Sequence, residues 1–200
     1  SGNQTLSAFG KYLNRNFFDL KLDIKNVLLE NTLPTIPTFG IAGQMDINTN
    51  ISRSSIKNQL NIETSVKELN INNQYLGDLR FAATGNTRLN TYIANLSLIE
   101  GKKIKLQATG LWQGLVDSSL NFNLDLDDLD IAFLSPLGKK SLNNIHGIIG
   151  GSITVLGTLN DIKHNGNLSL VNGGFSIPFL NLNYNIESTN VTLNDKSFIF

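Results

Sequence analysis

Cysteine is absent from the 200 residues, which excludes a disulfide framework and any thiolate metal site. Net charge is absent too, since 16 Lys and Arg balance 16 Asp and Glu. Without a basic surplus the chain has little to neutralise a phosphate backbone, so nucleic acid is not an expected partner. The same balance argues against a polybasic membrane-surface binder. Charged residues of either sign make up only 16% of the chain, which is low for a soluble domain. Polarity comes instead from Asn, Ser and Thr. No signal peptide is visible within these residues, and no apolar run is long enough to span a membrane as a helix; any anchor or export signal is expected to lie outside them. Only two histidines occur, His146 and His164. Neither has a second His, a Cys or an acidic pair at metal-ligand spacing, so both read as ordinary loop or edge residues.

What is present is period-2 alternation, the mark of half-buried strands. Leu20, Leu22 and Ile24 alternate with Lys21, Asp23 and Lys25. Met45 and Ile47, Leu60 and Ile62, Leu69 and Ile71, and Leu79 and Phe81 repeat the pattern between polar neighbours. Ile104 and Leu106 alternate with Lys103, Lys105 and Gln107. Leu120, Phe122, Leu124 and Leu126 alternate with Asn121, Asn123 and Asp125. The last third adds Ile153 and Val155, Leu168 and Leu170, Leu182, Tyr184 and Ile186, then Val191 and Leu193.

Turn chemistry separates these runs. Asn72-Asn73, Gly85-Asn86, Glu100-Gly101, Asn160-Asp161, Asn165-Gly166 and Asn194-Asp195 all predict tight turns. Gly173-Gly174 predicts a turn or bulge. The four prolines fall outside the alternating cores or at their margins. Two stretches break the alternation. In residues 6–18, Leu6, Phe9 and Leu13 have a weak helical spacing. Residues 127–145 are denser and uneven, and Pro136 and Gly138 leave room for at most two short helical turns, read as a cap on a sheet edge or end. The final Phe198-Ile199-Phe200 reads as mid-strand, so the chain is expected to be a segment of something longer.

The expected fold is therefore all-β: one curled antiparallel sheet over residues 1–200, with an apolar inner face and one or two short helical caps. Laid in register, strands with one apolar and one polar face build a continuous apolar surface. Large apolar patches do not stay wet without a function, so the sheet folds on itself, closes into a barrel, or curls around an apolar ligand. Alternation alone leaves these three open. Lys21, Asp23, Lys25, Lys103, Lys105, Asn121 and Asn123 are expected to face solvent on the convex side, since an inward charge would lack a partner.

Catalytic apparatus is not visible. No serine sits in a G-x-S-x-G elbow. Gly150-Gly151 is followed by no Lys-Ser/Thr pair and no helix, so it is not a phosphate loop. The acidic cluster Asp125, Asp127, Asp128 and Asp130 lacks the Gly and terminal Glu of an EF-hand loop and reads as a solvated strand end. The aromatic set Trp112, Phe175, Phe179, Tyr184, Phe198 and Phe200 suits either a packed core or a lipid-facing wall. No cofactor, no metal and no enzymatic activity are expected.

Residues 150–200 carry a recognisable order of elements. Gly151-Ser152-Ile153, Gly157-Thr158-Leu159 and Gly166-Asn167-Leu168-Ser169-Leu170 come first. Phe175-Ser176-Ile177-Pro178 follows, leading into Leu180-Asn181-Leu182-Asn183-Tyr184. This stretch resembles the TamB family in its Bacteroidota-type versions, and Leu126 to Gly147 resembles the short cap that precedes the motif there. Residues 60–110 are similar in style, with Gly77-Asp78-Leu79 and Gly101-Lys102-Lys103. The resemblance implies a long taco-shaped sheet with an apolar groove, in a periplasmic protein anchored to the inner membrane. It implies phospholipid as the partner, moved toward the outer membrane, and support of outer-membrane protein assembly with a TamA- or BamA-like barrel. Leu20, Leu22, Ile24, Met45, Ile47, Leu60, Ile62, Leu79, Phe81, Ile104, Leu106, Leu120, Phe122, Leu124, Ile153, Val155, Leu168, Leu170, Leu182, Tyr184 and Ile186 would then line the groove. The competing expectation is a closed β-solenoid or sandwich serving as a spacer or adhesin stalk. A β-helix enzyme is disfavoured by the lack of clustered acids and bases.

Overall fold

A computed structural model of the chain describes residues 3–32, 40–114, 118–138, 141–158, 160–195 and 197–199. The alternating runs become strands in chain order. They are β1 (Thr5–Asn14), β2 (Phe17–Leu28), β3 (Ile41–Arg53), β4 (Asn58–Ile71), β5 (Gln74–Asn86) and β6 (Thr91–Glu100). The second half adds β7 (Lys103–Gln113), β8 (Ser119–Asp130), β9 (Asn143–Thr158), β10 (Asp161–Ile177), β11 (Leu182–Asn194) and β12 (Ser197–Ile199). Every strand pairs antiparallel with its neighbours in sequence, giving one twelve-stranded meander whose first and last strands do not pair with each other. The fold is an open antiparallel sheet. Helix is confined, among the described residues, to one turn, α1 (Leu29–Thr32), and to 3-10 turns at Ala132–Gly138 and Pro178–Leu180.

Residues 6–18 are not helical. Counting Ala8 and Gly10 with Leu6 and Tyr12 restores a period of two, and β1 pairs with β2 from Thr5↔Lys25 to Tyr12↔Phe18. Cross-strand pairing offers these residues more burial than a lone helix of that length. The cap expected at 127–145 is narrower than that: Asp127–Asp130 end β8 and Asn143 begins β9, leaving only the Ala132–Gly138 turn between. Pro136 and Pro178 both lie in 3-10 turns, while Pro34 and Pro37 lie outside the described residues. The Asn165-Gly166 turn is overturned. Gly166 sits inside β10, buried between Ile153 and Leu193, where a Cβ would run into the Ser152 carbonyl oxygen. That glycine serves close backbone approach rather than a reversal. Gly85-Asn86 likewise ends β5, and the turn follows at residues 87–90.

The strands carry bulges at one common level. Register shifts fall between Ile24 and Val27 in β2, Val66 and Leu69 in β4, Leu126 and Leu129 in β8, and Val171 and Gly174 in β10. In each, one residue takes a left-handed conformation: Asn26 (φ 58°), Glu68 (φ 53°), Asp128 (φ 50°) and Asn172 (φ 49°). Between β6 and β7 the shift lies at Leu98/Ile99. Each bulge inserts a residue and bends its strand. Each also moves the apolar face from even to odd positions, so Leu22 and Ile24 give way to Val27 and Leu29, and Val66 gives way to Leu69 and Ile71. A line of bulges across the sheet thus divides every long strand into a longer and a shorter arm.

The core sits along this line. Leu29, Val66, Leu69, Leu76, Leu98 and Leu129 form its buried cluster, with Met45, Leu79, Leu106, Leu126, Phe133 and Ile149 packed against it. Hairpin β6–β7 ends almost at the bulge line and has no shorter arm of its own. The Ala132–Gly138 turn folds into that space. It is held by Asn72 Nδ2, which donates to the Phe133 carbonyl at 2.7 Å, and by the Ile145 N–H, which donates to Ser135 Oγ at 3.1 Å. Asn72 begins the β4–β5 turn, and β5 and β8 stand three strands apart, about 14 Å in a flat sheet. The turn bridges that distance.

Candidate functional site: the apolar wall of the longer arm

Cross-strand partners define rows that run the width of the sheet. One passes through Leu22, Thr49, Ile62, Ala83, Ala94, Gly110, Phe122 and Val155. The next, toward the bulges, passes through Ile24, Ile47, Thr64, Phe81, Leu96, Ala108, Leu124 and Ile153. A third joins Met45, Val66, Leu79, Leu98, Leu106 and Leu126, and reaches Leu168 through Gly151. On the far side, Leu20, Ile51 and Leu60 lead through Gly85 to Tyr92, Trp112 and Leu120. Leu170 continues the face through Ile149 and Leu129. The register therefore brings most of the predicted lining residues onto one face.

Four of them lie elsewhere. Ile104 pairs with Ile99, outside the wall rows, and is 46% exposed. The Lys105 side chain is only 18% exposed and donates to the Asp128 carbonyl at 3.0 Å. The shift at Leu98/Ile99 explains this exchange, because a bulge breaks the alternation on which both expectations rested. Leu182, Tyr184 and Ile186 lie beyond the bulge at Asn172, on the shorter arm, opposite Ile177, Phe175 and Gly173.

Residues too small to raise a hydropathy signal complete the wall. Gly85 lies under the Tyr92 ring and Gly110 under the Phe122 ring, and a Cβ at either would collide with the ring above it. The glycines let aromatic rings lie flat across neighbouring strands. Tyr92 stacks on Trp112 with ring centres 5.2 Å apart, and Phe175 stacks on Tyr184 at 5.0 Å. Phe179 takes no part, being 90% exposed. Phe200 and the side chain of Phe198 lie outside the described residues.

The wall is half-buried rather than sealed. Ile24, Ile47, Ile62, Phe81, Phe122, Leu124 and Val155 are all intermediate in exposure, and Leu20 is 44% exposed. Near β1 it holds an open depression of about 450 Å3 bounded by Ala8, Gly10, Leu20, Leu22, Thr49 and Ile51.

The opposite face is polar but not uniformly convex. Asp23, Lys25, Asp46, Asn48, Glu63, Ser65, Arg80 and Gln107 help line a trough of about 590 Å3 there. A twisted sheet is saddle-shaped, so each face is concave along one diagonal. Asp23, in the trough, and Lys105, at the bulge, are half-buried, whereas Lys21, Lys25, Lys103, Asn121 and Asn123 are exposed. Hydroxyl-to-amide bonds cross this face, from Thr154 Oγ1 to Asn123 Oδ1 at 2.9 Å and from Thr192 Oγ1 to Asn167 Oδ1 at 3.0 Å. The acidic cluster closes on lysine: Lys103 Nζ lies 3.4 Å from Asp127 and 2.6 Å from Asp128. That contact holds the Asp128 carboxyl below, and the Lys103 ammonium above, their ordinary values. His146 sets Nδ1 2.7 Å from the Asn144 carbonyl oxygen. The His164 backbone N–H donates to Asp195 Oδ1 at 2.8 Å. The two histidines oppose different ends of β10 and β9 and form no common site.

No family model, no curated protein and no solved structure matches the chain.

Proposed function

We propose that the apolar wall shelters the acyl chains of phospholipid, and that the chain is a segment of a lipid-conducting bridge across a cell envelope. The carrying observation is the register that sets mostly apolar residues side by side from β2 to β9 of an open sheet, on a wall whose larger side chains are only half-buried. A closed core would seal those residues. A passing alkyl chain gains about 0.8 kcal/mol per CH₂ taken out of water. Because the rows are similar from strand to strand, a lipid can slide along them without a deep trap, and transport needs no chemistry. The resemblance of residues 150–200 to the TamB family supports the same reading, and with it a periplasmic location and an outer-membrane barrel as partner.

The test joins lipid extraction with charge placement. Mass spectrometry of an organic extract of the purified chain should find co-purifying phospholipid. Leu22→Asp and Phe122→Asp should leave the far-UV circular dichroism spectrum unchanged, because a carboxylate on an open wall still reaches water, and they should abolish the bound lipid. A wild-type chain free of lipid, with both variants unfolded, would instead favour a sealed spacer or stalk.

A further inference from the structure

The wall ends on a charge. Arg53 closes β3 and has Phe18 and Asn58 as its Cα partners. Ile51 lies two residues earlier on the wall, so strand alternation puts Arg53 on the same face, one row beyond Leu20 and Ile51. Its guanidinium carbon stands 5.9 Å from the centre of the Phe18 ring, within range of a cation–π attraction. Of its five N–H donors, Nη1 makes a 3.5 Å contact to the Arg15 carbonyl oxygen, at the long limit of a hydrogen bond. Nε is buried without a partner. The other buried, unpaired side-chain atoms among the described residues are Ser52 Oγ and Asn58 Oδ1, beside and opposite Arg53. Buried polar groups are normally paired; alternation turns Ser52 to the other face and Asn58 Oδ1 can only accept, so of the three the Arg53 donor is the one that an anionic oxygen would complete.

Further cations gather there. The hairpin tips at this end carry Arg15, Lys57 and Arg88, and the tips touch. Arg88 Nη2 donates to the Ser54 carbonyl at 3.4 Å, and Thr87 Oγ1 donates to the Ser52 carbonyl at 2.8 Å. The ion pairs among the described residues join Lys25, Lys103 and Lys105 to carboxylates, and none of Arg15, Arg53, Lys57 and Arg88 takes part. Immediately inward lies the 450 Å3 apolar depression. A cation at the rim of an apolar trough is complementary to a molecule with an anionic head and an alkyl tail. Guanidinium suits such a head well, because its planar fork pairs with two oxygens at once.

We propose that Arg53 is the anchor for the anionic oxygen head of an amphiphile whose alkyl chain lies over Leu20, Leu22 and Ile51. The proposal rests on the lipid reading above and narrows it to anionic heads held at this rim, with the field of the neighbouring tips reinforcing the choice.

Titration calorimetry on the whole chain with dodecyl phosphate, dodecyltrimethylammonium and inorganic phosphate, each below any micelle threshold, tests it. Dodecyl phosphate should bind about tenfold or more tighter than dodecyltrimethylammonium, and inorganic phosphate should give no heat at the same concentration. Arg53→Gln should remove the preference between the two amphiphiles, and Arg53→Lys should keep part of it. The wild-type comparison needs no variant, so it stands even if a substitution unfolds the chain. Equal affinity for the two amphiphiles in the wild type would overturn the headgroup site while leaving the lipid reading intact. A full preference retained by a folded Arg53→Gln would do the same. Inorganic phosphate binding as tightly as dodecyl phosphate would show an anion site without an amphiphile, which also overturns the proposal. No binding of either amphiphile would remove the lipid reading and this site together.

Discussion

The two arms on either side of the bulge line are built from the same aliphatic residues and meet different fates. On the longer arm, Leu60, Ile62, Leu120 and Phe122 remain half-exposed. At the bend, Val66, Leu69, Leu98 and Leu129 are buried, with Val66 and Leu98 only 5% exposed. Composition does not separate the two sets, and neither does strand propensity. Geometry does. A bulge bends the strand, and the side chains along the bulge line pack into one cluster that excludes water. Where the strand runs straight, the same side chain meets nothing across from it. The difference teaches that one sheet can hold its own core at the fold line and still present an open wall above it.

The largest effects should come from breaking that difference with charge. Leu98→Asp places an unpaired carboxylate in the cluster at the bend and should abolish cooperative unfolding altogether. Phe122→Asp, two strands over and on the straight arm, should fold. Leu106 packs against the buried cluster and should follow Leu98 rather than Phe122. Differential scanning calorimetry of the three variants checks this, and a folded Leu98→Asp would show that the bend is not the core. Truncation should give a graded version of the same contrast. Leu69→Ala should cost about 2–5 kcal/mol, and Leu120→Ala about 1 kcal/mol or less, in urea denaturation.

The Ala132–Gly138 turn supplies what hairpin β6–β7 lacks, and Phe133 is its contribution to the core. Phe133→Ala should cost about 3 kcal/mol, because a half-filled bend leaves a cavity the short hairpin cannot close. Asn72→Ala should cost about 1 kcal/mol through the lost bond to the Phe133 carbonyl. Hydrogen exchange should then quicken first at the Ile145 and Ile131 amides, which bond to Ser135 Oγ and the Gly147 carbonyl. Loss of protection confined to β1 instead would place the weak point at the edge strand and sink the role given to the turn.

Much of the wall was legible from alternation. Leu22, Ile62 and Phe122 announce themselves because each stands between two polar residues, and the antiparallel order follows from the short, turn-marked intervals. What alternation hid is instructive. A bulge with a left-handed residue sets successive apolar residues three positions apart instead of two, as from Val66 to Leu69 and from Leu126 to Leu129. Read two at a time, such a strand looks like two strands. The visible trace is the spacing of three together with Asn26, Asp128 or Asn172 inside it, since Asn and Asp tolerate positive φ. Glu68 leaves no such trace. The glycines of the wall were equally silent, because their part is to lie under a neighbour's ring. Arg53 was passed over for a different reason: as the last residue before a turn, it reads as a solvated end until register shows which face it shares with Ile51.

Glu68 offers a sharper probe of the bulge line. It holds a φ of 53°, a region most L-residues enter at a cost of about 1–2 kcal/mol. Its backbone N–H donates to Asp78 Oδ1 at 3.0 Å, as the Asn26 N–H does to Asp46 Oδ1 at 2.7 Å. Both bonds use the main chain and survive a change of side chain. Glu68→Gly should therefore raise stability by about 0.5–1 kcal/mol despite the looser unfolded chain. Asp78→Ala should lower it by about 1 kcal/mol. A destabilised Glu68→Gly would mean that the Glu side chain, not the backbone, holds the bulge.

The smallest expected effect lies at the surface of the same line, where Lys103 clasps Asp128. The Asp128 carboxyl is held low chiefly by its hydrogen bond from Lys103, so its contribution is present above the unfolded carboxylate value and is lost as pH falls through the folded one. The Lys103 ammonium is raised chiefly by the same bond, so its contribution is complete below the unfolded lysine value and is lost as pH rises through the folded one. Between those limits both groups are charged, and the pair should add a flat increment to the melting temperature. Both side chains are well exposed, so solvent and salt screen the attraction. Asp128→Asn isolates the charge, because Asn accepts the left-handed backbone at φ 50° as readily as Asp does. Its melting temperature at neutral pH should fall less than that of any destabilising variant above, and the fall should disappear in 1 M salt. The acid limb of the wild-type stability curve should flatten slightly in the variant while the alkaline limb loses the lysine contribution. A large drop that persists in 1 M salt would show that Asp128 acts through the bulge itself, as the residue that sets its turn, and that the charge pair merely decorates it.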